Sequence, residues 1–202
     1  MSGKQILTLW SDSAINDEDS RILRTSCHDI PVPLDAAGKK DINTLLEAFL
    51  SRDDALGLAA PQIGISRRIV VFRNKGFDDR NTWTKNETDY DVLINPRITQ
   101  GRGEIVYMAE GCLSCPEIQV EVGRFPEIKI RACNLKGQKI SKRYEDFLAR
   151  VVQHEIDHLQ GKLIIDYDGT LSYSKKRSSF FENLFHPYQN PTGQDSTVPL
   201  IK

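Results

Sequence analysis

Hydrophobic positions along this chain follow two different periods. At Ile42, Leu45, Leu46, Phe49 and Leu50 they recur at i, i+3, i+4, i+7 and i+8. That spacing predicts an amphipathic helix with Asp41 as its N-cap and an end near Arg52. Helical spacing returns at Phe147, Val151, Val152, Ile156 and Leu159, in a segment from Asp146 to Leu159 that Gly161 would stop. Leu171 to Phe185 is predicted as a last helix. Between the first two helices the pattern shortens to that of strands: Arg68 to Phe72, Asp91 to Asn95 (stopped by Pro96), Glu104 to Met108, Ile118 to Val122, Glu127 to Asn134 and Gln138 to Tyr144. Leu135-Lys136-Gly137 joins the last two as a hairpin. Ile128, Ile130 and Ala132 would share one face and Lys129 and Arg131 the other.

The remaining stretches are less periodic. Residues 5–10 read as a short strand or extended arm, and 11–20 as a polar, acidic loop. Pro31-Val32-Pro33 enforces an extended connection. Ala55 to Gly64 is small, apolar and punctuated by Gly and Pro, with Gln62 as its single polar side chain. Residues 74–90 read as a surface loop, and 163–165 as a short strand. The fold class expected is α+β, with mixed or antiparallel sheets packed around the second long helix and a C-terminal helix. Residues 1–186 would form one domain and 187–202 a flexible tail. There is no internal repeat.

Composition narrows the function. The chain has 202 residues, 39% of them hydrophobic, and a formal net charge of −1. That is enough apolar material for a sizeable core, and the bulk charge gives no reason to expect DNA binding. No apolar run reaches the roughly 18 residues a membrane span needs, and Met1 to Trp10 lacks a signal-peptide pattern. The four cysteines are then expected as thiols or ligands in a reducing, cytoplasmic setting.

Gln153-His154-Glu155-Ile156-Asp157-His158, on the second long helix, has the form H-E-x-x-H. His154 and His158 stand one turn apart on one face, so both imidazoles can reach a single metal ion. Glu155, one step around, can act on water as a general base without being a ligand. A catalytic ion of this kind usually has three protein ligands and an open position. Glu110-Gly111-Cys112-Leu113-Ser114-Cys115-Pro116 offers the third. Cys112 alone would complete an open Cys/His/His site. Cys112 and Cys115 together would close a structural Cys2His2 zinc site, or could be a redox pair. A structural site has no use for Glu155, and Pro116 does not suit the helix that a redox pair usually opens. The residues favour the open site and leave the other two standing. An H-E-x-x-H zinc peptidase would take its third ligand downstream, where Asp166 and Asp168 lie off the helix.

Three segments, in order, resemble the signature motifs of the peptide deformylases: Gly57-Leu58-Ala59-Ala60-Pro61-Gln62, Glu110-Gly111-Cys112-Leu113-Ser114, and the segment from Gln153 to His158. The resemblance runs from about Arg21 to Phe185. It implies that Cys112, His154 and His158 bind Fe(II), with zinc, nickel or cobalt able to substitute. Metal-bound water would attack the formyl group of formyl-methionyl nascent peptides. Glu155 would act as general acid and base, and the Gln62 amide and Leu113 N–H would stabilise the oxyanion. Gly57 and Gly111 would offer backbone groups to an extended peptide, and Arg150 and Val151 would wall the methionine pocket, Arg150 with its head in water. Lys175, Lys176 and Arg177 on the last helix would be a solvated face, or a contact with the ribosome. A member that has lost catalysis and only binds peptides or ribosomes is the rival reading. Two departures stand out. Ala55 occupies a usual glycine position, and Cys115 replaces an aliphatic residue, where it is expected to pack without ligating.

Overall fold

The computed structural model describes residues 4–12, 14–75 and 89–185. Most of the 74–90 loop and the whole 187–202 tail lie outside the described residues. The elements in chain order are α1 (Asp17–Leu23), α2 (Ala36–Leu50), β1 (Gly57–Ala59), β2 (Ile69–Arg73), β3 (Tyr90–Arg102), β4 (Val106–Cys112), β5 (Cys115–Arg124), β6 (Glu127–Cys133), β7 (Lys139–Glu145), α3 (Asp146–His158), β8 (Leu171–Tyr173) and α4 (Ser178–Phe185). One sheet has the strand order β1-β2-β3-β6-β7 and a second β4-β5-β8. Every ladder in both is antiparallel. The expected α+β class is what the chain adopts.

The helix bearing the H-E-x-x-H segment is positioned by its apolar stripe. Ala149, Val152, Ile156 and Leu159 are fully buried and pack with Val70, Phe72, Leu93, Ile128 and Ile130 of the five-stranded sheet. At about 1.5–3 kcal/mol for each large apolar side chain removed from water, this face outweighs any single polar contact of the helix. The helix stops because Gly161 takes φ +73°, and a Cβ there would lie 2.2 Å from the Arg24 carbonyl oxygen. The three-stranded sheet has its own core, in which Cys115, Ile118, Val120 and Val122 pack with Leu9, Trp10, Leu23 and Phe181.

Several elements differ from the sequence expectation. The helix expected after Asp41 begins at Ala36, where Asp35 caps it by accepting from the Gly38 N–H at 2.7 Å; Ala-Ala-Gly-Lys-Lys carries no apolar period to announce that start. Part of the acidic 11–20 loop is α1, whose first turn holds Asp17, Glu18 and Asp19, a placement the helix dipole favours. The strand from Asp91 does not stop at Pro96. It runs through a register shift between Ile94 and Arg97, with Asn95 at φ 52°. At such a bulge the missing proline N–H costs no ladder bond. The third strand is Val106–Cys112 rather than Glu104 to Met108. Residues 164–166 form a 3-10 turn instead of a strand, closed by Asp166 accepting from the Leu163 N–H at 2.7 Å. The expected helix from Leu171 is divided. Leu171 and Tyr173 alternate as a strand paired to β5, Lys175–Arg177 is a 3-10 turn, and α4 follows.

Candidate active site

The three metal-ligand candidates come from two bodies. His154 and His158 project from α3, which rests on the five-stranded sheet. Cys112 ends β4, in the ribbon that β4 and β5 form. One ligand atom from each of the three lies within 4.8 Å of the others, and the Cys112 Sγ is 3.4 Å from His158 Nε2. Cys115 faces Cys112 across the ribbon but is fully buried and outside the cluster.

The chemistry of this set suits a divalent ion. His154 Nδ1 lies 3.0 Å from Glu110 Oε2, which leaves its Nε2 for the cluster. The Cys112 sulfur is held well below the usual thiol range. The Cys115 thiol beside it favours the anion most, burial opposes it, and the two histidines add to the lowering. A thiolate and two imidazoles with a cavity on one side fit an open, three-ligand site.

Glu155 is 4% exposed, and its Oε2 finds no hydrogen-bond partner among the described residues. Burial pushes its pKa up to about 7, against the lowering effect of His154 and His158. A buried carboxylate left unpaired is costly in a merely structural role, and a pKa near neutrality suits a group that takes and returns a proton. Gly57, at the start of β1, packs directly against this carboxylate.

Gln62 sits in a 3-10 turn at residues 60–63. Its Oε1 accepts from the Ala59 N–H at 2.9 Å. An N–H needs an acceptor, so the amide nitrogen must point the other way. There it lies 3.3 Å from Ser114 Oγ and 3.9 Å from Cys112 Sγ. The N-terminal arm ties these two segments: the Leu7 N–H donates to Gln62 O at 2.8 Å and the Leu9 N–H to Ser114 O at 2.9 Å.

Gly57, Gln62, Gly111, Cys112, Leu113, Arg150, Val151, His154 and Glu155 all line one cavity of about 940 Å³, and His158 closes the ligand cluster behind it. Phe147, which the sequence marks only as part of the helix's apolar period, joins Arg150 and Val151 on the wall. The expectation for Arg150 needs correction, because its head is not in water. The residue is 5% exposed, and Nη1 donates to Glu110 Oε1 at 2.6 Å and to Val122 O at 2.8 Å. The sequence marks Glu110 only as a neighbour of Cys112 in the second motif, with no partner, and does not single out Arg124. Arg124 Nε and Nη2 donate to the two Glu110 oxygens at 2.7 and 2.8 Å, and Nη1 donates to Asp157 Oδ2 at 2.8 Å. Burial pushes Glu110 up, but His154 and Arg124 outweigh it and hold its pKa at about 2. Arg124 had a sequence signal. It continues the inward phase of Val120 and Val122, where a lone charge needs a partner.

A mononuclear, metal-dependent hydrolase is the class that this fold and site define. Residues 13–175 match the family model of polypeptide deformylase. Peptide deformylase 1 of Rickettsia conorii is 39% identical over 130 residues, which cover 64% of this chain and 72% of that protein. A Met-Ala-Ser-bound class I type b peptide deformylase from Acinetobacter baumannii superposes with a TM-score of 0.67 at 25% identity, covering 83% of this chain and all of that one. The Thermotoga maritima peptide deformylase gives 0.63 at 35% identity, over 82% and 97% of the two chains. The chain belongs to the peptide deformylase family. It is a hydrolase that removes the N-formyl group from nascent peptides, and neither the zinc-peptidase nor the binding-only reading is favoured. Among the described residues no helix is long and apolar enough to cross a membrane.

Proposed function

We propose that Cys112, His154 and His158 hold one divalent ion, Fe(II) in the cell, and that Glu155, Gln62 and Leu113 carry out the deformylation beside it. The observation that carries this reading is the convergence of Gln62, Cys112, His154 and Glu155 on one cavity. A bound ion there supplies Lewis-acid polarisation and lowers the pKa of water. Glu155 takes a proton from the attacking water and returns it to the leaving amine, so that one carboxylate serves both steps. The Gln62 amide and the Leu113 N–H face the negative charge that develops on the formyl oxygen; each such donor is worth about 3 kcal/mol at the barrier. Gly57 and Gly111, on strands that flank the cavity, offer backbone groups to an extended peptide. The methionine side chain rests on Phe147, Val151 and the aliphatic stem of Arg150.

We place this activity in the cytoplasm, where formylated chains emerge. Contact with the ribosome would rest on Lys175 and Lys176, which are exposed. Arg177 is committed to the fold through Glu117 at 2.7 Å and the Phe180 ring.

The test is formate release from formyl-Met-Ala-Ser by protein loaded anaerobically with Fe(II). Glu155→Ala should keep the metal and lose about 10²–10⁴ in kcat. A metal-loaded wild type without turnover would refute the reading, and an active Glu155→Ala would refute the choice of base.

A further inference from the structure

α3 carries two stripes packed against its neighbours, one fully buried and one buried only in part. The apolar one faces the five-stranded sheet. The other is polar and equally regular: Arg150, Gln153, His154 and Asp157, at i, i+3, i+4 and i+7. Every member bonds to the β4–β5 ribbon or the residue that follows it. Gln153 Nε2 donates to Phe125 O at 2.8 Å, and its Oε1 accepts from the Phe125 N–H at 3.2 Å. His154 meets Glu110, and Asp157 meets Arg124. Arg150 reaches furthest, to Glu110, to Val122 O, and through Nη2 to Val106 O at 2.5 Å.

The apolar side chains of the two bodies belong to different cores. Those of α3 join the five-stranded sheet, and those of the ribbon join the N-terminal arm and α4. Apolar packing therefore leaves the distance between Cys112 and the two histidines weakly specified. Directional hydrogen bonds across the seam must specify it. Among them, only Arg150 combines three contacts from one helix position, at both strands of the ribbon and at the carboxylate that orients His154.

We infer that Arg150 is a positioning residue for the metal centre: it holds the β4–β5 ribbon, and with it Cys112, in register with His154 and His158. Arg150 lines the cavity, while its Nη1 and Nη2 are held by Glu110, Val122 O and Val106 O. Those nitrogens are committed to the ribbon before any substrate arrives. The inference rests on the proposed ligand set.

The test compares Arg150→Met, which keeps the stem and removes the guanidinium, with Arg150→Lys, which keeps a cation for Glu110. Zinc affinity is measured by chelator competition, kcat and KM are measured at metal saturation, and melting is followed by circular dichroism. Arg150→Met should weaken zinc binding by about tenfold or more and lower kcat similarly, the usual effect of losing a group that orients a ligand. KM should stay within about threefold, because the stem remains, and Arg150→Lys should recover much of both losses. Wild-type zinc affinity and kcat in Arg150→Met would overturn the inference. So would losses that track the unfolded fraction and that lysine does not restore. Should Arg150→Met fail to fold, Arg150→Gln replaces it. Glutamine keeps donors but no charge, so it must bind zinc more weakly than Arg150→Lys, and equality would overturn the inference. If the wild type binds zinc yet releases no formate, the functional reading fails, while the zinc affinities still decide the role of Arg150.

Discussion

A Cβ on Gly57 would stand 2.3 Å from Glu155 Oε1 and 2.7 Å from its carboxyl carbon. β1 thus leaves out a side chain at the point where Glu155, the proposed general base, lies. Gly57 has no unusual φ, so alanine there meets no backbone strain. Its cost falls on the carboxylate, which has to move. A displacement of about 1 Å in a reacting group can lower the rate about 10²-fold. Gly57→Ala should therefore fold, bind zinc as the wild type does, and lose about that factor in kcat. Steady-state kinetics beside metal analysis of the same sample check this. Full activity would mean that Glu155 has another working position.

The difference between Gly57 and Arg150 shows what could be read from the sequence. The proposed ligands, base and amide donor lie in short segments whose chemistry depends on local spacing, and helix period alone places His154 over His158. The strands were legible wherever one face is buried, as at Ile128, Ile130 and Ala132. What was hidden depends on contacts remote in sequence. Arg150 looked like a snorkelling side chain until β4 and β5 brought Glu110 and two carbonyls to it. Asn95 permits β3 to pass Pro96 because its amide bonds both backbone groups of Ile30, at 2.8 Å each. The N-terminus of α2 was hidden for a local reason, since its cap precedes a first turn without large apolar residues.

The closed Cys2His2 site, left standing by the residues alone and disfavoured by the family resemblance, makes a separate prediction. Cys115 is fully buried behind Cys112, and burial pushes its thiol up, away from the anionic form a ligand needs. Cys115→Ser should bind one zinc per chain with affinity within about threefold of the wild type, since no first ligand is lost. It should also melt lower, because a hydroxyl replaces a thiol in an apolar setting. A large loss of zinc in folded protein would instead make Cys115 a ligand.

Asp91 gives the fold an acid-sensitive point away from the metal centre. On β3 it accepts from Asn74 Nδ2 at 2.8 Å, Lys142 Nζ at 2.7 Å and the Tyr144 hydroxyl at 2.9 Å. Burial alone would raise its pKa, but these three donors, Lys142 foremost, outweigh it and lower the value. A carboxylate whose folded pKa lies below its unfolded value stabilises the fold above the unfolded value of about 4. That contribution disappears as pH falls through the folded value. Lys142 is 46% exposed, so solvent screens the ion pair and the gain is on the order of 1 kcal/mol. Asp91→Asn should therefore unfold at lower urea than the wild type at neutral pH. The gap between the two should narrow as the pH is taken below about 4, because only the wild type still has this carboxylate to protonate. Urea midpoints for both proteins across that range measure the gap. A gap that stays constant would show that the stabilisation comes from shape and neutral hydrogen bonds, with no contribution from the charge on Asp91.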